Sequence, residues 1–461
     1  MPSPFMGIDI AARALRSFQS ALDVTGHNIA NVNTTGYSRE TVNFNQTEAT
    51  TFYFGKPIAL GTGVEIASVN RIRDMFLQGS RLATQSQASQ LATLSTNLSN
   101  VENIVLEPGT DGISDALNSF FDAWSALASN PTESAARFQV QQAGQTLADR
   151  IKNTYAGLSD IKNQCVSDVE NTFNSIDQLT TKIADYNKEI RKQTAQGVEP
   201  NDLLDLRDQA IQDLSGLINV TTQTFDDGSV AVYVGQCNLV DSSGSKAIPR
   251  TYDATAQTIS SGQFTYKVSG GQLNGLFQSI TTVNSYQTQL DNFANTLRTQ
   301  VNTLHKTGTN NLDPATTGIN FFNDSTPQTG ASDLDLSTEV KANADAISSS
   351  ITGNDGDGGL ALSLSQLRDS SIAGLGSKTM SEYYADFASG IGSDVDYYKS
   401  ALEAKNAVLT QIDTQVQSVS GVSLDDEMAS MLRFQRSYQA AAKMLNIFDQ
   451  VTEDLINLIR T

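Results

Sequence analysis

Apolar residues recur every seven positions near the start of the chain, at Ile8, Leu15, Leu22 and Ile29, with Phe5 and Ala12 offset by three and four. That spacing predicts a helix with a coiled-coil seam, because a period near 3.5 keeps one stripe facing a partner. Ser3 is placed as its N-cap and Pro4 at its first position, where a missing N–H costs nothing. The helix is expected to stop near Asn33, because Asn31-Val32-Asn33-Thr34-Thr35-Gly36 is turn chemistry and Gly36 is free to take positive φ. The other end of the chain repeats the pattern. Leu424, Met428, Met431, Tyr438, Leu445, Phe448, Val451, Leu455 and Leu458 form a second seam at three- and four-residue spacing. Ser423 is its candidate N-cap, and Asp425, Asp426 and Glu427 fall in the first turn, where the helix dipole favours anions and accounts for them.

The positions between the seams alternate in character. Residues 41–73 are β-branched and aromatic with Gly61 and Gly63 as breakers, which predicts extended or irregular chain. Leu91, Leu94, Leu98, Val101 and Val105 predict a helix over 75–107 that ends at Pro108-Gly109, followed by a shorter one through Ile113, Leu117, Phe120, Trp124 and Leu127. Asn130-Pro131-Thr132-Glu133 reads as a capping box opening a long helix through Leu147, Ile151, Leu158, Ile161, Cys165, Ile176, Leu179, Ile183, Tyr186 and Ile190. Such length without internal caps points to a rod-like bundle rather than a compact enzyme. After a short helix to about Leu217, Val230, Val232 and Val234 alternate behind Asp227-Gly228, a hairpin signal, and strand-like pieces continue to Val268. Helix is expected again from Gln272 to His305 and over 378–461, with loops and short helices over 308–359. The fold class is therefore mainly α with a small β insertion. Its expected parts are a terminal coiled-coil domain (1–45 plus 405–461), a helical middle domain (46–216 plus 273–404) and a small outer β domain (217–272).

Composition narrows the function. Of 461 residues 30 are basic and 50 acidic, a net charge of −20, which argues against a nucleic-acid binder because a phosphate backbone demands a basic face. No apolar run approaches the ~18 residues that span a bilayer, so no membrane insertion is expected. The first residues lack a basic n-region followed by an apolar stretch and a cleavage site, which implies a cytoplasmic chain or one exported with its N-terminus intact. The chain has two cysteines, Cys165 and Cys237, and two histidines, His27 and His305; CxxC, HExxH and GxSxG are absent. Asn354-Asp355-Gly356-Asp357 resembles a calcium loop only faintly, because Gly353 and Leu364 occupy its first and twelfth ligand positions. Cys165 and Trp124 read as core residues, and His305 as a helix-end imidazolium suited to the dipole. No catalytic, cofactor-binding or metal residue is assigned, and no cofactor is expected.

Asn28-Ile29-Ala30-Asn31-Val32-Asn33-Thr34-Thr35-Gly36-Tyr37-Ser38-Arg39 closely resembles the N-terminal signature of bacterial flagellar axial proteins, the rod, hook and hook-associated proteins. Ser420-Gly421-Val422-Ser423-Leu424-Asp425-Asp426-Glu427 and Phe434-Gln435-Arg436-Ser437-Tyr438-Gln439-Ala440-Ala441-Ala442-Lys443 look like the matching C-terminal end. Tyr37-Ser38-Arg39, Leu203-Leu204-Asp205-Leu206-Arg207-Asp208-Gln209 and Gly270-Gly271-Gln272-Leu273-Asn274-Gly275-Leu276 are more similar to the hook-associated members than to rod or hook members. The resemblance implies a structural, non-enzymatic subunit that joins hook to filament by polymerising at the hook tip. It implies a secreted, extracellular location, reached through the flagellar type III apparatus without a cleaved signal. The implied partners are further copies of itself, hook protein, a second junction protein, the filament cap during assembly, and a small cytoplasmic export chaperone docking on the C-terminal seam. The signature residues carried over are Asn28, Ala30, Asn31, Asn33, Thr34, Gly36, Tyr37, Ser38 and Arg39. The alternatives are another axial protein, hook or distal rod, and a secreted enzyme carried on axial-protein ends.

Overall fold

The computed structural model describes residues 5–53, 56–105, 112–324 and 329–460, with side chains of the last helix as far as Asn457. The expected Ser3 cap and Pro108-Gly109 stop lie outside the described residues. The helices are α1 (Met6–Ala30), α2 (Met75–Val105), α3 (Ile113–Ser129), α4 (Ser134–Thr194), α5 (Asn201–Leu217), α6 (Gly271–His305), α7 (Thr338–Ala342), α8 (Gly359–Ser365), α9 (Met380–Ser420) and α10 (Leu424–Arg460). The strands are short. β1 (Glu40–Gln46) pairs antiparallel with β4 (Val64–Arg71), and β2 (Thr50–Tyr53) pairs with β3 (Pro57–Leu60) as a hairpin. β5 (Thr221–Thr224), β6 (Val230–Val234), β7 (Cys237–Asp241) and β8 (Gly244–Ser245) form a meander, and β9 (Thr251–Asp253), β10 (Thr258–Ser261) and β11 (Phe264–Lys267) a three-stranded one. The chain is thus mainly α with small sheets, the class the periodicities predict.

Two local expectations need correction. α1 ends at Ala30, a turn before Asn33, because Asn31 starts hydrogen-bonding locally: its side-chain amide donates to His27 O at 3.1 Å and its Oδ1 accepts from Thr34 Oγ1 at 3.1 Å. The long helix begins at Ser134 rather than at the Asn130 box. Asn130 instead closes α3, its N–H bonding Ala126 O and Leu127 O.

The chain divides by packing into two compact units. One holds the chain up to Gln87, Ser175–Ile248 and everything from Lys405; the other holds Ala88–Asn174 and Pro249–Ala404. The second unit has the larger apolar core, built on Leu94, Leu98 and Val101 of α2, Phe120, Phe121 and Trp124 of α3, Leu147 and Ile151 of α4, and Leu290, Phe293 and Leu297 of α6. Trp124 is fully buried and meets Phe120 edge-on, with Phe321 and His305 against its other contacts. Cys165 is buried as expected, and burial pushes its thiol up to about 11, which leaves it an inert core group at neutral pH. The Asn/Asp-rich loop is organised by Asp357, whose Oδ2 accepts from Ser350 Oγ, Thr352 Oγ1 and the N–H groups of Ile351 and Thr352. That carboxylate is fully occupied with the chain's own donors, which hold it well below the usual carboxylate range.

His305 departs from its helix-end reading. It is completely buried; Ser348 N–H donates to Nε2 at 2.9 Å, and Nδ1 lies 2.7 Å from Ile319 O. A ring nitrogen that accepts a hydrogen bond holds a lone pair, so the ring is the neutral tautomer protonated at Nδ1. Burial lowers its pKa to about 4, against 6.5 in the unfolded chain. Between these values the unfolded chain binds a proton that the folded one refuses, so stability falls as pH drops. Urea unfolding followed by Trp124 fluorescence is expected to lose about 2–3 kcal/mol between pH 7.5 and 4.5 from this residue. His305→Gln, which keeps a donor and an acceptor but does not titrate, removes that part of the slope; an unchanged slope would refute the assignment.

Candidate functional site

The residues of the N-terminal signature gather in the first unit, where α1 ends and β1 begins. Asn28, on the last turn of α1 and 1% exposed, uses its whole side-chain amide. Nδ2 donates to Glu40 O at 2.9 Å and to Glu427 Oε2 at 3.1 Å, while Oδ1 accepts from Glu40 N at 2.9 Å and Tyr37 Oη at 2.7 Å. An amide is the side chain that offers two donors and two lone pairs in one plane, so Asn28 pairs with the first residue of β1 as a strand neighbour would. The intervening turn needs Gly36 at φ +85°, and a Cβ there would stand 2.8 Å from Gln209 Oε1. Tyr37 lies edge-on to His27 and among the carboxylates of Glu40, Asp205, Asp202 and Glu427; burial first, then these charges, raise its pKa above the usual phenol range.

Two distant segments close on this turn. Ser38 donates twice to Asp205 of α5, N to Oδ2 and Oγ to Oδ1, each at 2.9 Å. Arg39 N–H donates to Ser420 O at 2.9 Å, and its Nε donates to Glu427 Oε1 at 2.7 Å. The signature is thereby held by the middle of the chain on one side and by the start of α10 on the other. Behind it, Arg71 pairs with both Asp205 and Asp208, and Arg73 and Arg207 also pair with Asp208. Three guanidinium groups share two carboxylates. Burial and the neighbouring arginines accordingly lower the Arg207 pKa to about 9, and burial and Arg71 lower that of Arg73 to about 10. Arg207 also donates to Gly228 O at 2.6 Å, tying the hairpin turn before β6 to the same cluster.

The first turn of α10 needs a second reading. Asp425 and Asp426 are exposed, as anions matched to a helix dipole are. Glu427 is not: it is 2% exposed and carries the bonds from Asn28 and Arg39. The dipole therefore accounts for two of the three acids, and Glu427 is a link between the chain ends. Sequence reasoning missed this role, and missed Arg71 and Asp208 as well; the only available signal was the position of Glu427 and Asp208 inside the motifs that resemble axial proteins.

α1 and α10 pack along one another. The buried positions of α1 are small or polar: Ala11, Ser17, Ala21, Thr25 and Asn28. On α10 they are Glu427, Ala441 and Thr452. Approach is close, since a Cβ on Gly7 would stand 2.6 Å from the Phe448 ring. Phe44 of β1 bridges Phe18 of α1 and Phe434 of α10, with ring centroids 6.0 Å apart on each side. Of the expected N-terminal seam, Ile8, Ala12, Leu15, Leu22 and Ile29 are half-buried and Phe5 is exposed. Of the C-terminal seam, Met431, Tyr438, Leu445 and Phe448 are half-buried, whereas Leu424, Met428, Val451 and Leu455 are 46–58% exposed. The side chain of Leu458 lies outside the described residues. In the signature, Ala30, Asn33 and Thr34 are exposed and Asn31 half-buried.

Comparison with known proteins follows the same geography. The family model described as flagellar hook-associated protein FlgK helical domain matches residues 98–322. Those described as flagella basal body rod protein and flagellar basal body rod FlgEFG protein C-terminal match residues 8–37 and 414–458, the two ends that meet at Asn28 and Glu427. The chain is 27% identical to the flagellar hook-associated protein 1 of Bacillus subtilis, with 99% of each chain covered. It is 26% identical to that of Escherichia coli K12, covering 98% of this chain and 99% of the relative. Among solved structures, the flagellar hook junction protein FlgK from Burkholderia pseudomallei aligns with a TM-score of 0.60 and 18% identity, over 74% of this chain and all of that one, a likeness of fold.

Proposed function

This chain belongs to the flagellar hook-associated protein 1 family, and from that membership we propose that it is a structural axial component of the bacterial flagellum at the hook–filament junction. It assembles with other flagellar axial components. The observation that carries the mechanism is the unequal use of the C-terminal seam: one face of α10 packs on α1, and Leu424, Met428, Leu432, Ile447, Val451 and Leu455 stay open to water. Large apolar side chains left open to water near both ends of one helix are costly unless partners cover them. We assign that role to neighbouring axial subunits, copies of this chain among them, in head-to-tail contacts that build a helical array. In this reading residues 1–45 and 405–461 form the terminal domain, residues 46–216 and 273–404 a helical middle domain, and residues 217–272 a small β domain. Hook protein below and a second junction protein above are the axial neighbours, and the filament cap adjoins during assembly. Export by the type III route with a small chaperone on α10 fits the same open side chains, which need cover before assembly. The net charge of −20 keeps monomers apart until then.

The test is electron microscopy of a strain lacking the gene, with filament protein assayed in the medium. Hooks without filaments and shed filament subunits are expected, and the intact gene restores filaments. Intact filaments in the deletion strain would overturn the junction role.

A further inference from the structure

We propose that His27, Glu40 and Asp202 form a binding site for a divalent cation of the zinc class. The three side chains come from the last turn of α1, the first residue of β1 and the first turn of α5, and each brings a ligand atom within 4.8 Å of the others. What singles them out is the state of Glu40. Its side chain is 8% exposed, yet among the described residues the one ion pair its carboxylate makes is with the His27 imidazole, Nδ1 and Oε2 standing 3.5 Å apart. The neighbouring buried acids are served differently: Asp205 has Arg71 and Glu427 has Arg39. Among the described residues neither Glu40 nor Asp202 pairs with a lysine or arginine. A buried carboxylate facing a second carboxylate is expensive unless a cation joins them.

The ring is placed to serve as a ligand. Tyr37 spends its one proton on Asn28 Oδ1 at 2.7 Å, so Nδ1 faces two acceptors, the Tyr37 oxygen at 3.3 Å and Glu40 Oε2 at 3.5 Å, and a cation bound there would take the place of an Nδ1 proton. The charge of two carboxylates matches a divalent ion, and the imidazole nitrogen selects zinc-like metals over magnesium or calcium, which prefer an all-oxygen shell. Zinc ligands at about 2 Å from the ion stand roughly 3.3 Å from one another in a tetrahedron. The His27–Glu40 pair already approaches that separation, and Asp202, exposed on its helix, can rotate to complete it. Bound there, the ion would tie α1, β1 and α5 together beside the Ser38–Asp205 contact, without passing through any residue of the α10 link.

The experiment is calorimetric titration of Zn²⁺ into chelator-treated, full-length protein, repeated with Co²⁺ and read by its visible absorption. Binding of a single ion is expected, with a Co²⁺ spectrum showing a nitrogen ligand. His27→Ala and Asp202→Asn, both at solvent-accessible positions, should each weaken binding by about tenfold or more, since even outer-shell changes cost that much. Asp425→Asn, an exposed acid outside the cluster, should leave it unchanged. No binding, binding that ignores His27 and Asp202, or Zn²⁺ displaced by an equal concentration of Mg²⁺ would each overturn the site.

Discussion

Asp205→Ala is expected to destabilise the first unit by about 3–5 kcal/mol, the range for deleting one partner of a buried charge network. The carboxylate answers three groups at once: the Ser38 N–H, the Ser38 hydroxyl and the Arg71 guanidinium. Its loss leaves a buried backbone donor without its acceptor and leaves Arg71, Arg73 and Arg207 to share Asp208 alone. Burial first, and the neighbouring arginines after it, already lower the pKa of Arg207 and Arg73, so the cluster is poorly placed to lose a carboxylate. Asp205→Asn keeps one acceptor and loses the charge, so it should fall between wild type and alanine. Ser38→Ala, which removes only the hydroxyl bond, should cost about 1 kcal/mol. Urea unfolding of the three variants measures the series, with exposed Asp425→Ala as the reference at under about 0.5 kcal/mol. An Asp205→Ala variant as mild as that reference would show that the network does not hold the signature turn.

The same network marks what a sequence can and cannot disclose. Helices came through plainly: the seven-residue repeat at Ile8, Leu15, Leu22 and Ile29 falls on α1, and the long capless run through Ile151, Cys165 and Ile183 falls on α4. Periodicity is local, so it reports that a stripe exists. It does not report which of two adjacent stripes a helix spends within its own chain. On α1 the buried residues include Ala11, Ala21 and Thr25, small enough to allow close approach, while the larger Leu15 and Leu22 stay half-buried. A hydrophobicity pattern weights the large residues and passes over the small ones. Polar contacts are harder still. Asn28 and Glu427 are 399 positions apart, and nothing in the spacing of either predicts the bond. Glu427 sits among acids that a helix dipole explains well, so its own burial was masked by a sufficient local cause. His305 failed for a related reason: a position at a helix end suggests charge, but the loop carrying Ile319 and Ser348 folds over it and leaves only a neutral ring. The signature Asn28–Arg39 was legible as a motif, and its physical content became visible only when the turn was seen to meet α5 and α10.

Met428→Asp and Val451→Asp are expected to separate folding from assembly. Both residues are at least half exposed on α10, at 58% and 50%, so an aspartate at either remains hydrated in the free chain. Stability should move by less than about 1 kcal/mol, the usual scale for surface positions away from special features. If neighbouring subunits cover this face, the same aspartate becomes a buried, unpaired charge, whose penalty of several kcal/mol exceeds what one subunit contact can absorb. Each contact repeats at every copy in the array, so the penalty recurs around the junction rather than once. Strains carrying either variant should export the protein yet show hooks without filaments. Leu445→Asp makes the informative contrast, because Leu445 is half-buried; there folding and assembly should fail together. Thermal unfolding of the purified variants beside electron microscopy of the strains reads both quantities. Normal filaments with Met428→Asp and Val451→Asp would mean that the open face of α10 looks into solvent in the assembled flagellum, and the subunit contacts would then have to lie elsewhere on the first unit.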